Sequence, residues 1–72
     1  MIKVNTFILN GEKYYINTKD KITIYDLVFY FNFNISLFVL EYNNLIYNKS
    51  QWKNILICNN DKIELITIVG GG

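Results

Sequence analysis

Apolar residues fall into short runs separated by Asn-rich polar breaks, and the first two runs predict a β-hairpin. Residues 2–9 are rich in β-branched and apolar side chains, and residues 13–17 return as a second strand. The intervening Asn10-Gly11 pair is a strong hairpin signal because both residues accept positive φ. A polar turn at residues 19–21 then separates the hairpin from the next element.

One amphipathic α-helix is predicted after the hairpin. Thr23 and Asp26 have the spacing of a capping box, which marks the start of a helix. The stretch Asn32–Asn34 should end it. Between these signals, apolar residues recur at i, i+3, i+4 and i+7, the spacing of one helix face. These residues are Ile24, Leu27, Val28 and Phe31.

The second half of the chain predicts more strands. Residues 38–42 alternate, so that Leu40 points to one face with Phe38 and Tyr42, while Val39 and Glu41 point to the other. The remaining predicted elements are a turn at Asn43-Asn44, a strand at Leu45–Tyr47, a helical turn at Asn48–Asn54, a turn at Asn59–Asp61 and a last strand at Lys62–Ile68.

This order, ββαββ, a short helical turn and then β, predicts an α+β domain of the ubiquitin-like β-grasp type. A mixed sheet packs one face on the helix, with the last strand beside the first, and leaves the other face open. Seventy-two residues suffice for one domain. We expect that domain over residues 1–68 and a flexible tail over residues 69–72.

The last strand carries an apolar pair on its outer face. Alternation groups Ile63, Leu65 and Thr67 on the inner face and places Ile66 and Ile68 on the face that Lys62 and Glu64 mark as solvated. One interpretation is that the sheet curls and covers the isoleucines. The other is that Ile66 and Ile68 form a docking patch for a partner.

The chain closes with Val69-Gly70-Gly71-Gly72. Glycine has the greatest backbone freedom, so these residues predict a thin tail that extends by at most about 13–14 Å and presents the carboxylate of Gly72. A carboxylate needs activation before a nucleophile attacks it, and the chain has no phosphate-binding loop and no paired base and nucleophile. We therefore expect another protein to activate the tail. A frayed tail without function is the alternative.

Composition removes several function classes. Hydrophobic residues make up 51% of the chain, the net charge is +1, and the seven lysines are scattered, which argues against a nucleic-acid partner. Histidine is absent, so no Cys/His zinc site is expected. No secretory signal is visible, and residues 27–40 are too short and too polar to span a membrane.

Individual side chains receive structural interpretations. Cys58 is the single cysteine, which excludes an internal disulfide, and we expect a buried, inert thiol. Asp61 and Glu64 are interpreted as solvated carboxylates rather than an acid–base pair. Trp52 is expected to fill the core beneath the helical turn. Catalytic and metal-binding residues are expected to be absent.

In its order of motifs, the chain resembles the ThiS sulfur carriers of thiamine biosynthesis over nearly its whole length. The matching segments are Asn10-Gly11-Glu12, Thr23–Val28, Val39–Asn43 with Ile46, Ser50-Gln51-Trp52, Asp61–Glu64 and Val69–Gly72. Two departures occur where the family usually has glycine, at Asn44 and Asn60, and asparagine also accepts positive φ.

The resemblance implies a carrier without catalytic activity of its own and without a bound cofactor. A ThiF-like enzyme would use ATP and Mg²⁺ to adenylate Gly72, with Val69, Gly70 and Gly71 admitting the tail to partner sites. Sulfur from a cysteine desulfurase would give a thiocarboxylate for the ThiG-like thiazole synthase. The free carrier is expected to be a monomer.

Three alternatives stay open at this point. The chain also fits a carrier like the small subunit of molybdopterin synthase, a ubiquitin-like modifier, or a β-grasp binding module whose glycines are idle. The abundance of residues with A/T-rich codons, such as Asn, Ile and Lys, suggests a plastid stroma, with a bacterial cytoplasm as the alternative.

Overall fold

The computed structural model describes the backbone of residues 3–18 and 21–68. Five strands, one α-helix and two 3₁₀ turns account for most of them. In chain order they are β1 (Lys3–Leu9), β2 (Glu12–Thr18), α1 (Ile24–Tyr30), a first 3₁₀ turn (Ile35–Leu37), β3 (Phe38–Tyr42), β4 (Leu45–Tyr47), a second 3₁₀ turn (Lys49–Asn54) and β5 (Asp61–Thr67).

The strands form one mixed sheet in the order β2-β1-β5-β3-β4. The β1–β2 and β3–β4 pairs are antiparallel hairpins, and β5 lies between them, parallel to β1 and antiparallel to β3. The predicted element order and the position of the last strand beside the first are confirmed. Because β5 is central, its backbone is fixed from both sides.

Helix α1 begins as its sequence predicts. The Thr23 hydroxyl accepts from the Asp26 N–H at 3.1 Å, and the Asp26 carboxylate accepts from the Thr23 N–H at 2.9 Å, which completes the capping box. The helix covers one face of the sheet and closes a core of ten buried side chains. These are Phe7, Leu9, Ile24, Leu27, Val28, Leu40, Trp52, Ile57, Ile63 and Leu65. Trp52 is 1% exposed, which confirms its predicted role in the core.

Asparagine occupies the sharp turns. Within the described residues, every non-glycine residue with positive φ is an asparagine. At the first hairpin, Asn10 (φ 50°) and Gly11 (φ 84°) form a two-residue connection, and Leu9 pairs with Glu12. Asn tolerates this left-handed conformation better than most residues, so turns form without further glycines. The other asparagines with positive φ are Asn32, Asn43, Asn44 and Asn60.

Some details differ from the sequence prediction. The 3₁₀ turn at Ile35–Leu37 was not predicted; the Asn34 side chain caps it by accepting from the Ser36 N–H at 3.2 Å. Thr67, predicted on the inner face, is exposed because the buried part of β5 ends at Leu65. Strand β5 starts at Asp61, one residue earlier than predicted, and Ile68 lies just beyond its end.

Candidate functional site

The predicted modification site and tail, Val69, Gly70, Gly71 and Gly72, lie outside the described residues. The described part of the site is therefore the end of β5 and the sheet face around it. This region holds the described residues that lie nearest to the tail in the sequence.

Two contacts fix the end of β5. The Asn10 side-chain oxygen accepts from the Leu65 N–H at 2.8 Å, which attaches β5 to the first hairpin turn. The Ile68 N–H donates to the Leu37 carbonyl at 2.7 Å, so backbone hydrogen bonding continues one residue beyond the strand. The chain therefore has a defined position and direction as far as Ile68.

Ile66 and Ile68 are both half-exposed, at 45% and 47%. Ile66 lies on the sheet face opposite α1, directly across from Val39 of β3, so the two side chains share that face as a cross-strand pair. A curled sheet that covers the isoleucines is not what the structure shows. The docking role of Ile66 and Ile68 stays a prediction.

Next to this apolar pair lies an acidic one. Glu64 of β5 is in register with Glu41 of β3, so two carboxylates occupy neighbouring positions on the same face. Lys62 contacts only one of them: its Nζ lies 3.5 Å from Oε1 of Glu64. Glu64 thus forms a surface ion pair with its side chain 38% exposed, which agrees with its interpretation as a solvated carboxylate. Ile46 of β4 lies across from Glu41 and extends the face toward the sheet edge.

Asp61 is buried at 6% exposure, so its interpretation as a solvated carboxylate was wrong. Its Oδ2 accepts from the Tyr42 hydroxyl at 2.5 Å and from the Cys58 N–H at 2.6 Å, and its Oδ1 accepts from the Asn43 side-chain amide at 3.1 Å. These three bonds satisfy a buried charge. Desolvation by burial, reinforced by the hydrogen bond to Asp61, raises the pKa of Tyr42 above its ordinary value. These hydrogen bonds link the end of β3 to the start of β5.

The side chain of Cys58 was also predicted wrongly, because the residue is exposed rather than buried. Its Sγ lies 3.6 Å from the Leu56 carbonyl oxygen, within range of a weak hydrogen bond. The backbone N–H of Cys58, by contrast, binds the buried Asp61. The position therefore contributes to the fold through its main chain.

A groove of about 990 Å³ lies between β2 and α1, away from the open face. Aromatic side chains dominate its lining, and Tyr15, Phe29 and Tyr30 are exposed there. Its one lining carboxylate, Asp26, is already used in the helix cap. The groove thus offers apolar surface without paired acid and base groups.

Neither a metal centre nor a membrane span emerges within residues 3–18 and 21–68. No three His, Cys, Asp or Glu side chains cluster there in a way that would hold a metal ion. The one α-helix of this part of the chain is too short to cross a bilayer.

Sequence reasoning missed the residues that position β5 and extend its outer face. Asn10 and Asn43 were assigned to turns, yet each binds a backbone N–H of β5 through its side chain, at Leu65 and Lys62 respectively. Val39 was placed on the outer face by alternation but was not connected with Ile66. The missing information was strand register, which a single sequence does not specify here.

Comparison with known proteins gives a consistent result. The model of the ThiS family matches residues 2–72. A protein of Trieres chinensis named "Uncharacterized protein ycf40" is 60% identical over 67 residues, which are 93% of this chain and 89% of that protein. "Sulfur carrier protein ThiS" of Bacillus subtilis is 33% identical over 54 residues, or 75% and 82% of the two chains.

The fold agrees with these sequence matches. The solved structure of the thiamine biosynthesis protein ThiS from Geobacter metallireducens has a TM-score of 0.80 to this chain. The similarity covers 93% of this chain and 99% of that one, at 15% identity. The predicted α+β, β-grasp fold is confirmed by this match.

Proposed function

The chain belongs to the ThiS family of ubiquitin-like sulfur carriers, and we propose from this premise that the carboxylate of Gly72 is the group that carries sulfur. The observation that carries the proposal is the position of β5. This central strand ends at Thr67 and is followed by the exposed Ile68, and the sequence continues directly as Val69-Gly70-Gly71-Gly72. The carrier domain would cover residues 1–68 and the tail residues 69–72.

Every step of the proposed chemistry takes place on a partner enzyme. A ThiF-type enzyme uses ATP and Mg²⁺ to join the Gly72 carboxylate to AMP, with loss of pyrophosphate. A persulfide supplied through a cysteine desulfurase then attacks the acyl-adenylate and displaces AMP, which gives an acyl disulfide. A second thiol, as the reductant, cleaves the S–S bond, so the thiocarboxylate is released and the two remaining thiol sulfurs form a disulfide. A ThiG-type thiazole synthase takes the sulfur for the thiazole ring of thiamine.

This chain's own contribution is recognition and reach. Gly70 and Gly71 have no side chains, so a narrow enzyme channel can admit the tail while the folded domain stays outside. Ile66 and Ile68 supply apolar surface at the root of the tail, where a partner would make contact. The folded domain is thus the part that partner enzymes recognise, and the tail presents one reactive group to each of them in turn.

Intact-protein mass spectrometry tests the proposal. The chain is incubated with the ThiF-type enzyme, ATP, Mg²⁺, a cysteine desulfurase, cysteine and a thiol reductant, and we expect the mass increase that corresponds to replacement of one oxygen by sulfur. A variant without Gly71 and Gly72 is the control and should stay unchanged. If the native chain also stays unchanged while a known ThiS protein is converted in the same mixture, the proposal is wrong.

A second assay identifies the pathway. The thiocarboxylated chain is given to a ThiG-type synthase and, separately, to the large subunit of molybdopterin synthase. Thiazole formation alone supports the thiamine role, whereas product from the second reaction supports the alternative carrier. Covalent attachment to protein lysines would indicate a modifier.

We propose the plastid stroma as the site of action. Two features support it: the excess of residues with A/T-rich codons and the similarity to the ycf40 protein of Trieres chinensis. Immunogold labelling or fractionation of intact plastids tests this location. Recovery of the protein in a non-plastid fraction would contradict it.

A further inference from the structure

The open sheet face near Ile68 combines apolar and acidic side chains in a fixed arrangement. Val39 and Ile66 form one cross-strand row, and Glu41 and Glu64 form the next, about 7 Å further along the strands. Ile46 lies across from Glu41 on the neighbouring strand, about 5 Å away. The acidic pair therefore has apolar neighbours on two sides.

We infer that this face recognises a partner protein that carries an apolar surface with one cationic side chain, Arg or Lys, positioned to reach Glu41 beside Glu64. The inference rests on the proposed function for the identity of the partner, which is the adenylating enzyme. The inference goes beyond the docking role of Ile66 and Ile68 because it assigns the choice of partner to the charges of Glu41 and Glu64.

The first argument is electrostatic. Like charges directly opposite each other in a sheet destabilise it, and a pair such as Glu41 and Glu64 gains if a cation joins it. Lys62 already pairs with Glu64, and within the described residues it supplies the one salt bridge. Glu41 is half-buried and is left with the capacity to accept a cation from outside.

The second argument concerns water. When a partner covers Val39, Ile46 and Ile66, it removes water from around the carboxylates as well. Removal of water lowers the local dielectric constant and strengthens a correctly placed ion pair, while it penalises a partner that leaves the carboxylates unpaired. The apolar residues supply contact area, and the glutamates select a partner surface that carries a cation.

A second copy of this chain is a poorer occupant of the same face. It would bring another Glu41 and Glu64 to a surface that already holds two carboxylates. Lys62, the cation that lies closest on that face, is engaged with its own Glu64. A heterologous partner with an unpaired cation fits the charges better.

The test compares two single substitutions that each replace one carboxylate by an amide of the same shape. Glu41→Gln removes the charge from the open face, and Glu12→Gln removes one from exposed β2. The dissociation constant for the purified ThiF-type adenylating enzyme is measured by calorimetry at low and high salt. We expect Glu41→Gln to raise the dissociation constant about tenfold and to reduce its dependence on salt. Glu12→Gln should have the same dissociation constant as the native chain.

Folding stability separates recognition from structure. Glu41→Gln relieves repulsion, so its urea midpoint should equal or exceed that of the native chain while its affinity falls. Equal affinities for Glu41→Gln and the native chain, or no binding by the native chain, would overturn the inference. A dimer of the native chain in sedimentation that Glu41→Gln dissociates would also overturn it. The proposed function is judged separately, by the mass assay.

Discussion

The hydroxyl of Tyr42 donates a 2.5 Å hydrogen bond to the carboxylate of Asp61 and so joins the end of β3 to the start of β5. The same hydroxyl lies 3.1 Å from the Leu56 carbonyl oxygen. Asp61 in turn receives the Cys58 N–H, which holds the loop that leads into β5. The start of β5 is therefore held in place by the buried carboxylate of Asp61 and the groups that donate hydrogen bonds to it.

Replacement of Tyr42 by Phe tests how much the hydrogen bond to Asp61 contributes to stability. The ring is kept, but a buried carboxylate loses one donor, so Tyr42→Phe should lower the free energy of unfolding by about 1.5–3 kcal/mol. Urea denaturation followed by tryptophan fluorescence measures the change. Tyr47→Phe is the matched control on the neighbouring strand β4, and its loss should stay below about 0.5 kcal/mol. Equal losses in both variants would contradict the assigned role.

The ionisation of Tyr42 predicts a stability loss at alkaline pH. Burial and the Asp61 hydrogen bond raise the pKa of Tyr42, so the folded chain retains the phenol proton after the unfolded chain releases it. The contribution is complete below the ordinary tyrosine pKa of about 10 and is lost as pH rises toward the folded pKa. Unfolding free energies measured across this range should fall more steeply for the native chain than for Tyr42→Phe. Parallel pH profiles would refute the assignment.

Two adjacent asparagines in one turn should respond differently to glycine. Asn43 and Asn44 both have positive φ, which glycine adopts without strain. The Asn43 side chain also donates to Asp61 at 3.1 Å and accepts from the Lys62 N–H at 2.8 Å. Asn43→Gly should therefore cost about 2 kcal/mol, while Asn44→Gly should stay within about 0.5 kcal/mol of the native chain. Thermal and urea unfolding measure both, and equal effects would show that backbone conformation alone matters.

The docking patch predicts a loss of affinity without a loss of fold. Ile66→Thr keeps a β-branched side chain suited to a strand but removes apolar contact, so binding to the adenylating enzyme should weaken about three- to tenfold. Phe29→Ala, on the exposed side of α1, is the control and should bind normally. If the two substitutions weaken binding equally, the patch does not lie at the end of β5.

Local patterns predicted this fold well because its signals are short-range. The Asn10-Gly11 turn, the capping box of Thr23 and Asp26, and the alternation in β3 each appear within a few residues. The burial of Asp61 could not be predicted from neighbouring residues in the sequence. Two of its three donors are side chains of Tyr42 and Asn43, nineteen and eighteen positions earlier, and a charged residue that follows a turn is usually solvated.

The site was predictable in its apolar part alone. Alternation along residues 62–68 was enough to place Ile66 outside the core, and the structure confirms that exposure. The pairing of Glu41 with Glu64 depends on the register between β3 and β5, which the turn at Asn43 and its bond to Lys62 help to set. Register of this kind arises from tertiary contacts rather than from periodicity.

The strand order has a consequence for biosynthesis. Because β5 separates the two hairpins, the strand that completes the sheet is the last to leave the ribosome. Until it arrives, β1–β2 and β3–β4 share no backbone ladder, and neither hairpin alone forms a stable unit. Folding therefore waits for translation to reach the end of the domain, so a chain truncated before β5 is a substrate for proteolysis rather than a partly active carrier.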